Sequence, residues 1–392
     1  EGVYCKVLGA EFQNCGTYTA YYNPTTVYGA DYRLRAGVVM GNYSTYNIVK
    51  DIRVRDCYYG LNWGAGTDNV YENITITNST ILDGARGLAS LGSNNTFKNC
   101  KFLTTGQTMD SFYNGTSNSN LLIEGCTFAS TLNLVHQQNS TFKDNTFKKK
   151  IVFGFENKNL LFESNTFLDT TGVSFENLNT FAEDITFKGC RFIGSEAGYF
   201  YGIYTIYQSS IRINVIDCLF KNYLGDGSVD GHGIFHLNNE LQNSFGTISG
   251  NRFVNCDYGI RWFQGGWMSN VTNNNFSSIS KWCIFIEALS SVNPLQLKHC
   301  NFENNIADAT CVNGIWIDAQ TGTWDYCTIR GNKFQAVTTV GYTLNAVDYN
   351  INGTTEAPVP IKPIITKTAN FSVAANEIGK YIRVNSASDI TC

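Results

Sequence analysis

A chain of 392 residues is long enough for two or three ordinary domains, but abundant Gly, Asn, Thr, Phe and Tyr, with five prolines, three methionines and 15% charged residues, favours strands and tight turns over helices. A formal charge of −4, with no basic run beyond Lys148-Lys149-Lys150, excludes the electrostatic footprint of a nucleic-acid binder. No apolar run reaches about eighteen residues, which excludes a membrane-spanning helix, and Glu1-Gly2-Val3-Tyr4-Cys5 does not read as a signal peptide; a chain opening on Glu1 is expected to be a fragment or a processed product.

In chain order the first feature is a repeat: an apolar residue, any residue, a turn-former, Cys or Asn, any residue, Phe. Weak copies lie around Cys15, Cys57 and Ser79. Strong copies follow as Phe97-Lys98-Asn99-Cys100-Lys101-Phe102, Ile123-Glu124-Gly125-Cys126-Thr127-Phe128 and Phe142-Lys143-Asp144-Asn145-Thr146-Phe147, then as copies ending in Phe167, Phe192, Phe220, Phe253, Phe276, Phe302 and Phe334. From Cys57 to Asn332 the fourth positions fall about 25 residues apart, the mark of a solenoid whose turns bury their apolar faces on one another. The third position is always Asn, Asp, Gly, Ser or His, turn residues that, Ser apart, tolerate left-handed backbone angles, so a sharp bend is expected there. The fourth and sixth positions share strand parity, and the constant Phe marks their common side as the interior. The expected fold is all-β: a right-handed parallel β-helix of about 13 turns over residues 1–350.

Seven of the thirteen cysteines, Cys15, Cys57, Cys100, Cys126, Cys190, Cys218 and Cys300, stand at the fourth position, alternating with Asn145, Asn165, Asn251, Asn274 and Asn332. Small buried thiols behave as compact hydrophobes, so these read as core and not as chemistry. No Cys-x-x-Cys pair exists; no metal site and no cofactor are expected. Free stacked thiols fit synthesis in a reducing cytoplasm.

A second strand follows in several turns: Gly202-Ile203-Tyr204, Gly233-Ile234-Phe235, Gly259-Ile260-Arg261, Cys283-Ile284-Phe285 and Gly314-Ile315-Trp316. With the Ile column facing the core, Tyr204, Phe235, Arg261, Phe285 and Trp316 form an outward column. Two residues further on stand Ile206, Leu237, Phe263, Glu287 and Asp318, which sets Glu287 and Asp318 on adjacent turns of one face, beside Trp316 and near Arg261. Glycoside cleavage needs two such carboxylates. Glu156 and Glu176 align in the same way but lack a neighbouring Trp. The excursion from Cys218 to Asn251 carries Asp226, Asp230, His232, His236 and Glu240, a second candidate cluster on one loop. Five of the six tryptophans, Trp262, Trp267, Trp282, Trp316 and Trp324, lie between residues 262 and 324, and exposed aromatic faces suit the apolar faces of sugar rings. The substrate-binding set is therefore Trp316, Phe285, Trp267, Trp262, Tyr204 and Phe235. After Phe334 the repeat fades; residues 351–365, with Pro358, Pro360 and Pro363, read as a linker, and residues 366–392 as the start of a small β segment.

The Asn/Cys-x-Phe turns, the Gly-Ile strands and the proline-marked exit into Phe371-Ser372-Val373-Ala374-Ala375 resemble bacteriophage tailspikes and capsule depolymerases of the pectate-lyase-like superfamily, over roughly residues 1–350. The resemblance implies a homotrimeric virion protein of the phage tail, joined to other tail proteins and made in the bacterial host cytoplasm, that binds or cuts a capsule or O-antigen. A narrower likeness to polygalacturonases rests on Gly231-His232-Gly233 and Gly259-Ile260-Arg261; that family's Asn-Thr-Asp and paired aspartates are replaced by Asp217-Cys218 and Asp226-Gly227. Three functions follow: a depolymerase hydrolysing glycosidic bonds with a carboxylate pair, a non-catalytic receptor-binding spike, or a polysaccharide lyase using Arg261 with His232 or His236.

Overall fold

In the computed structural model the described residues are 6–13, 36–40, 45–55, 59–63, 67–77, 86–89, 93–103, 118–134, 136–154, 156–168, 171–175, 182–194, 201–206, 211–237, 244–263, 266–267, 269–287, 296–298, 300–317, 323–325, 328–334, 365–367 and 382–384. Their regular structure is strand throughout, and every strand pairing is parallel to a strand of the next turn. The chain is a right-handed parallel β-helix, the hand that parallel crossovers take. No helix among the described residues is long and apolar enough to cross a membrane.

The first sheet takes one strand from each of thirteen turns, from Lys6–Leu8 to Thr328–Arg330. Each strand ends at a bend whose third-position residue has positive φ in every turn, including Gly9 (61°), Asn99 (52°), Asp144 (52°), Gly189 (62°), Gly250 (69°) and Gly331 (66°). This is why the position is confined to Gly, Asn, Asp and Ser: the left-handed region clashes with larger branched side chains. Past the bend, Phe102, Phe128, Phe147, Phe167, Phe192, Phe220, Phe253 and Phe276 form an unbroken interior file with centroids 4.5–5.1 Å apart. The fourth-position amides chain along the axis: Asn251 donates to Asn274 Oδ1, Asn274 to Asn305 and Asn305 to Asn332, each from both backbone N and Nδ2. The fourth-position thiols Cys100, Cys126, Cys190 and Cys218 are buried and unbridged.

The repeat frame differs from expectation in four turns. Phe302 pairs with Val271 and Ile329 in the first sheet, so its turn reads Phe302-Glu303-Asn304-Asn305-Ile306-Ala307, and the fourth position is Asn305 rather than Cys300. Val7, Val49 and Tyr71 likewise occupy the first position, which moves the early fourth positions to Ala10, Ile52 and Ile74; Cys15, Cys57 and Ser79 lie outside the described residues. At Cys300 the cause is that the entry corner of the first sheet uses the same spacing. There Asn47, Asn69 and Asn95 stand two residues before Val49, Tyr71 and Phe97, all buried, and Asn47 and Asn69 donate to the next amide of their file. Cys300 belongs to that corner.

On the solvent face of the first sheet the register aligns Lys50, Glu72, Lys98, Glu124, Lys143, Glu163 and Lys188. The pairs Lys50–Glu72 (3.0 Å) and Lys98–Glu124 (3.5 Å) are closed. Beyond the helix, Ile365–Lys367 pairs with Ile382–Val384, so the last residue of the expected linker, Ile365, is strand; residues 335–364, which hold the rest of it, lie outside the described residues.

Candidate functional site

The Gly-Ile strands make a third strip, running through Tyr201–Ile206, His232–Leu237 and the second halves of Arg252–Phe263 and Asn275–Glu287 to Ile315–Ile317. Ile203, Ile234, Ile260, Ile284 and Ile315 are in register and buried, and Tyr204, Phe235, Arg261, Phe285 and Trp316 align beside them. The small residue before each Ile, Gly in four turns and Cys283 in the other, is buried as well. A Cβ on Gly233 would lie 2.6 Å from the Phe253 ring and 2.8 Å from the Gly259 carbonyl, so no larger residue fits. Two consecutive inward residues break the alternation, and the residue before each Gly turns outward again.

That break creates a second outward column, Tyr201, His232, Tyr258 and Trp282, paired in register. The two columns lean together. The His232 ring stacks between Tyr201 (5.2 Å) and Tyr258 (5.0 Å), Tyr201 meets Tyr204 at 4.5 Å, and Trp282 meets Trp316 at 5.4 Å. Phe285 stacks with Trp316 at 6.3 Å. The result is a continuous aromatic face crossing five turns. Tyr201, Tyr258 and Lys281 are absent from the sequence expectation; an aromatic residue before the small residue in Tyr201-Gly202, His232-Gly233, Tyr258-Gly259 and Trp282-Cys283 was the available signal.

Charge sits at one place on this face. The Arg261 guanidinium lies over the Tyr258 ring at 4.7 Å and the Phe285 ring at 5.5 Å, a cation–π arrangement. Asp230 reaches it from the loop 224–231, Oδ2 to Nη1 at 3.3 Å, while Asp230 Oδ1 is bonded by Lys281 Nζ. The Asp230 carboxylate raises the pKa of Lys281. Asp257 closes the loop base, its Oδ2 accepting from Gly225 N (2.7 Å) and Gly231 N (2.9 Å) and its Oδ1 from Ser280 Oγ (2.5 Å). Asp226 is exposed and caps its own turn: Oδ1 accepts from Ser228 Oγ (2.6 Å), Ser228 N (2.9 Å) and Val229 N (3.1 Å), and the Ser228 bonds lead in holding its carboxyl below the usual range.

Several expected site residues fall elsewhere. Trp262 is 1% exposed, a core residue and not a sugar contact, because it shares the inward parity of Ile260. Phe235 stands in the outward column but is 9% exposed, covered by Tyr201, Tyr204 and His232. His232 and His236 belong to a strand rather than to the loop. His236 faces inward, bonded through Nδ1 to Thr205 Oγ1 and edge-on to Trp262; burial pushes it down to about 3, so it is no base for a substrate on the outer face. Burial likewise holds His232 well below its ordinary value, with Arg261 and Lys281 adding to the effect. Glu287 ends its strand opposite Phe263, and the side chains of Glu287, Trp267 and Trp324, with all of Asp318, Glu176 and Glu240, lie outside the described residues. Glu156 lies on another part of the helix, paired with His136 at 3.3 Å. Among the described residues no cluster of three His, Cys, Asp or Glu is arranged to hold a metal ion.

The family model described as "Right handed beta helix region" matches residues 36–220, so the match ends within the first turns of the aromatic face. The chain is similar in structure to PfbA, a surface adhesin of Streptococcus pneumoniae, at 13% identity and a TM-score of 0.38, over 73% of this chain and 84% of that one. No curated protein matches the chain.

Proposed function

We propose that the chain binds a bacterial surface polysaccharide, a capsule or an O-antigen, through its aromatic outer face, in the manner of a phage tailspike. The observation that carries this reading is the column Tyr204, Phe235, Arg261, Phe285 and Trp316, which repeats one side chain per turn at a rise of about 4.8 Å. Pyranose rings have one apolar face and a polar rim, and aromatic platforms with a few charged groups at the edge suit both. The wider tailspike reading, a homotrimer carried on the virion among other tail proteins and made in the host cytoplasm, belongs to the same proposal.

Glycosidic hydrolysis is the second reading. Ile286 pairs with Ile317 on the next turn, and Glu287 and Asp318 are the residues that follow these two in sequence. The described carboxylates nearby are otherwise engaged, Asp226 in its own turn and Asp230 by two cations.

Incubating the protein with purified capsules and O-antigens separates the readings. Hydrolysis releases new reducing ends, elimination adds an unsaturated sugar absorbing in the ultraviolet, and a spike retains the glycan without product. Under hydrolysis, Glu287→Gln and Asp318→Asn each lower turnover at least about a hundredfold while binding persists, and Trp316→Ala weakens binding instead. Full activity in both carboxylate variants, with loss in Asp226→Asn or Asp230→Asn, moves the chemistry to the loop.

A further inference from the structure

Arg261 is the one member of the outward column that is not a ring, and it sits in the middle of it. A guanidinium presents N–H donors in a planar fork that fits a carboxylate at two points. Asp230 Oδ2 meets its Nη1 at 3.3 Å, and that carboxylate is held more closely by Lys281 through its other oxygen. Both cations reach solvent, the Arg261 side chain at 19% exposure and Lys281 at 44%. The next carboxylate, Asp257, is engaged by two backbone N–H groups and Ser280. Arg261 and Lys281 thus face two carboxylates, Asp230 and Asp257, of which only Asp230 touches the guanidinium, and the aromatic rings keep water away from one side of the cluster.

The loop that brings Asp230 is fixed at its base and at its tip. Its ends are held by Asp257 at Gly225 and Gly231, its tip is a self-contained turn around Asp226 and Ser228, and Gly227 stands at φ 92°, where only glycine is at ease. Between those fixtures Asp230 is joined to the face by its contacts with Arg261 and Lys281.

Building on the polysaccharide-binding reading, we propose that the face selects glycans bearing a carboxylate, that Arg261 with Lys281 receives this group, and that Asp230 holds the position in the free protein as an internal competitor. The sugar ring beside the acidic unit then lies on Phe285 and Trp316. Arg261 sets specificity and Asp230 sets affinity.

The test uses the full chain on an immobilised panel of capsular polysaccharides containing uronic acids or 2-keto acids. Each stands beside its carboxyl-reduced product, in which the carboxylate is a primary alcohol and the linkages are unchanged, and neutral O-antigens complete the panel. Retention of the native glycan is expected to exceed that of its reduced form at least about tenfold, as a charge-assisted pair predicts. Arg261→Gln is expected to bring the native glycan down to the reduced level, and Asp230→Asn to raise native retention several-fold. Thermal melting of each variant is measured alongside, and Asp230→Ser replaces Asp230→Asn if the latter melts early. Equal retention of native and reduced glycans, with binding intact, overturns this inference alone. So does a loss of acidic-glycan binding in well-folded Asp230 variants, which would make Asp230 a strut. Retention of no glycan of any kind overturns the polysaccharide reading as well.

Discussion

Phe192 sits in the middle of the interior file, with Phe167 at 4.5 Å and Phe220 at 4.6 Å, both within 2° of parallel. Its ring also meets Phe187 edge-on at 5.8 Å, and a Cβ on Gly172 would lie 2.8 Å from it. Neighbours held on several sides cannot collapse into the space a missing ring leaves, so Phe192→Ala is expected to cost about 3–5 kcal/mol in urea unfolding. A loss below about 1 kcal/mol would contradict the packing. His236 responds to pH instead of volume. Burial holds its folded pKa at about 3, against about 6.5 unfolded, so below pH 6.5 the unfolded chain takes up a proton that the native protein refuses. Stability should fall as pH drops from about 6.5 towards 3, at up to about 1.4 kcal/mol per pH unit, and owe nothing to this group above that window. His236→Gln should reduce the slope between about pH 5 and 6.5, where few carboxylates titrate, leaving the share that buried His232 contributes; parallel curves for the two proteins would sink the assignment.

The bends and ladders act at the level of the turn. Asn274 Oδ1 takes two bonds from Asn251, while Asn274 donates Nδ2 to the Ile248 carbonyl at 2.9 Å and to Asn305 Oδ1 at 3.0 Å. Asn274→Leu keeps the branched shape but strands two buried donors of Asn251, and is expected to cost about 2–4 kcal/mol in the same unfolding measurement. The bends were legible in the sequence because left-handed φ admits few residue types, and the Phe file because a sixth-position ring recurs in most turns. The frame was misread at Cys300 because both corners of the first sheet place a small or amide residue two before an inward one, and spacing alone does not distinguish them. Tyr201 and Tyr258 escaped notice for a different reason: strict alternation assigns them inward, and only the Gly-Ile break reverses them. Trp262 was legible all along, since the parity that turns Arg261 outward turns its neighbour in.

At the scale of the molecule, the third strip lays an aromatic face along the axis of a rigid solenoid, while the charged cluster depends on a loop that the repeat does not predict. Loops carry no period, so the meeting of Asp230 with Lys281, 51 residues away, has no trace in spacing. The solvent face of the first sheet carries a different kind of order. From Lys50 to Lys188 the sign of charge reverses at every turn. Glu124→Lys would set three positive charges in file and is expected to cost about 0.5–1 kcal/mol in urea unfolding at low salt, a cost that shrinks at high salt. The interior files treat all turns alike, but this one distinguishes odd from even. A chain that lost one turn between Lys50 and Lys188 would bring like charges face to face, whereas the loss of two adjacent turns would leave the alternation whole. Along this stretch the solenoid is divisible only by two: the natural unit of its lengthening or shortening is a pair of turns.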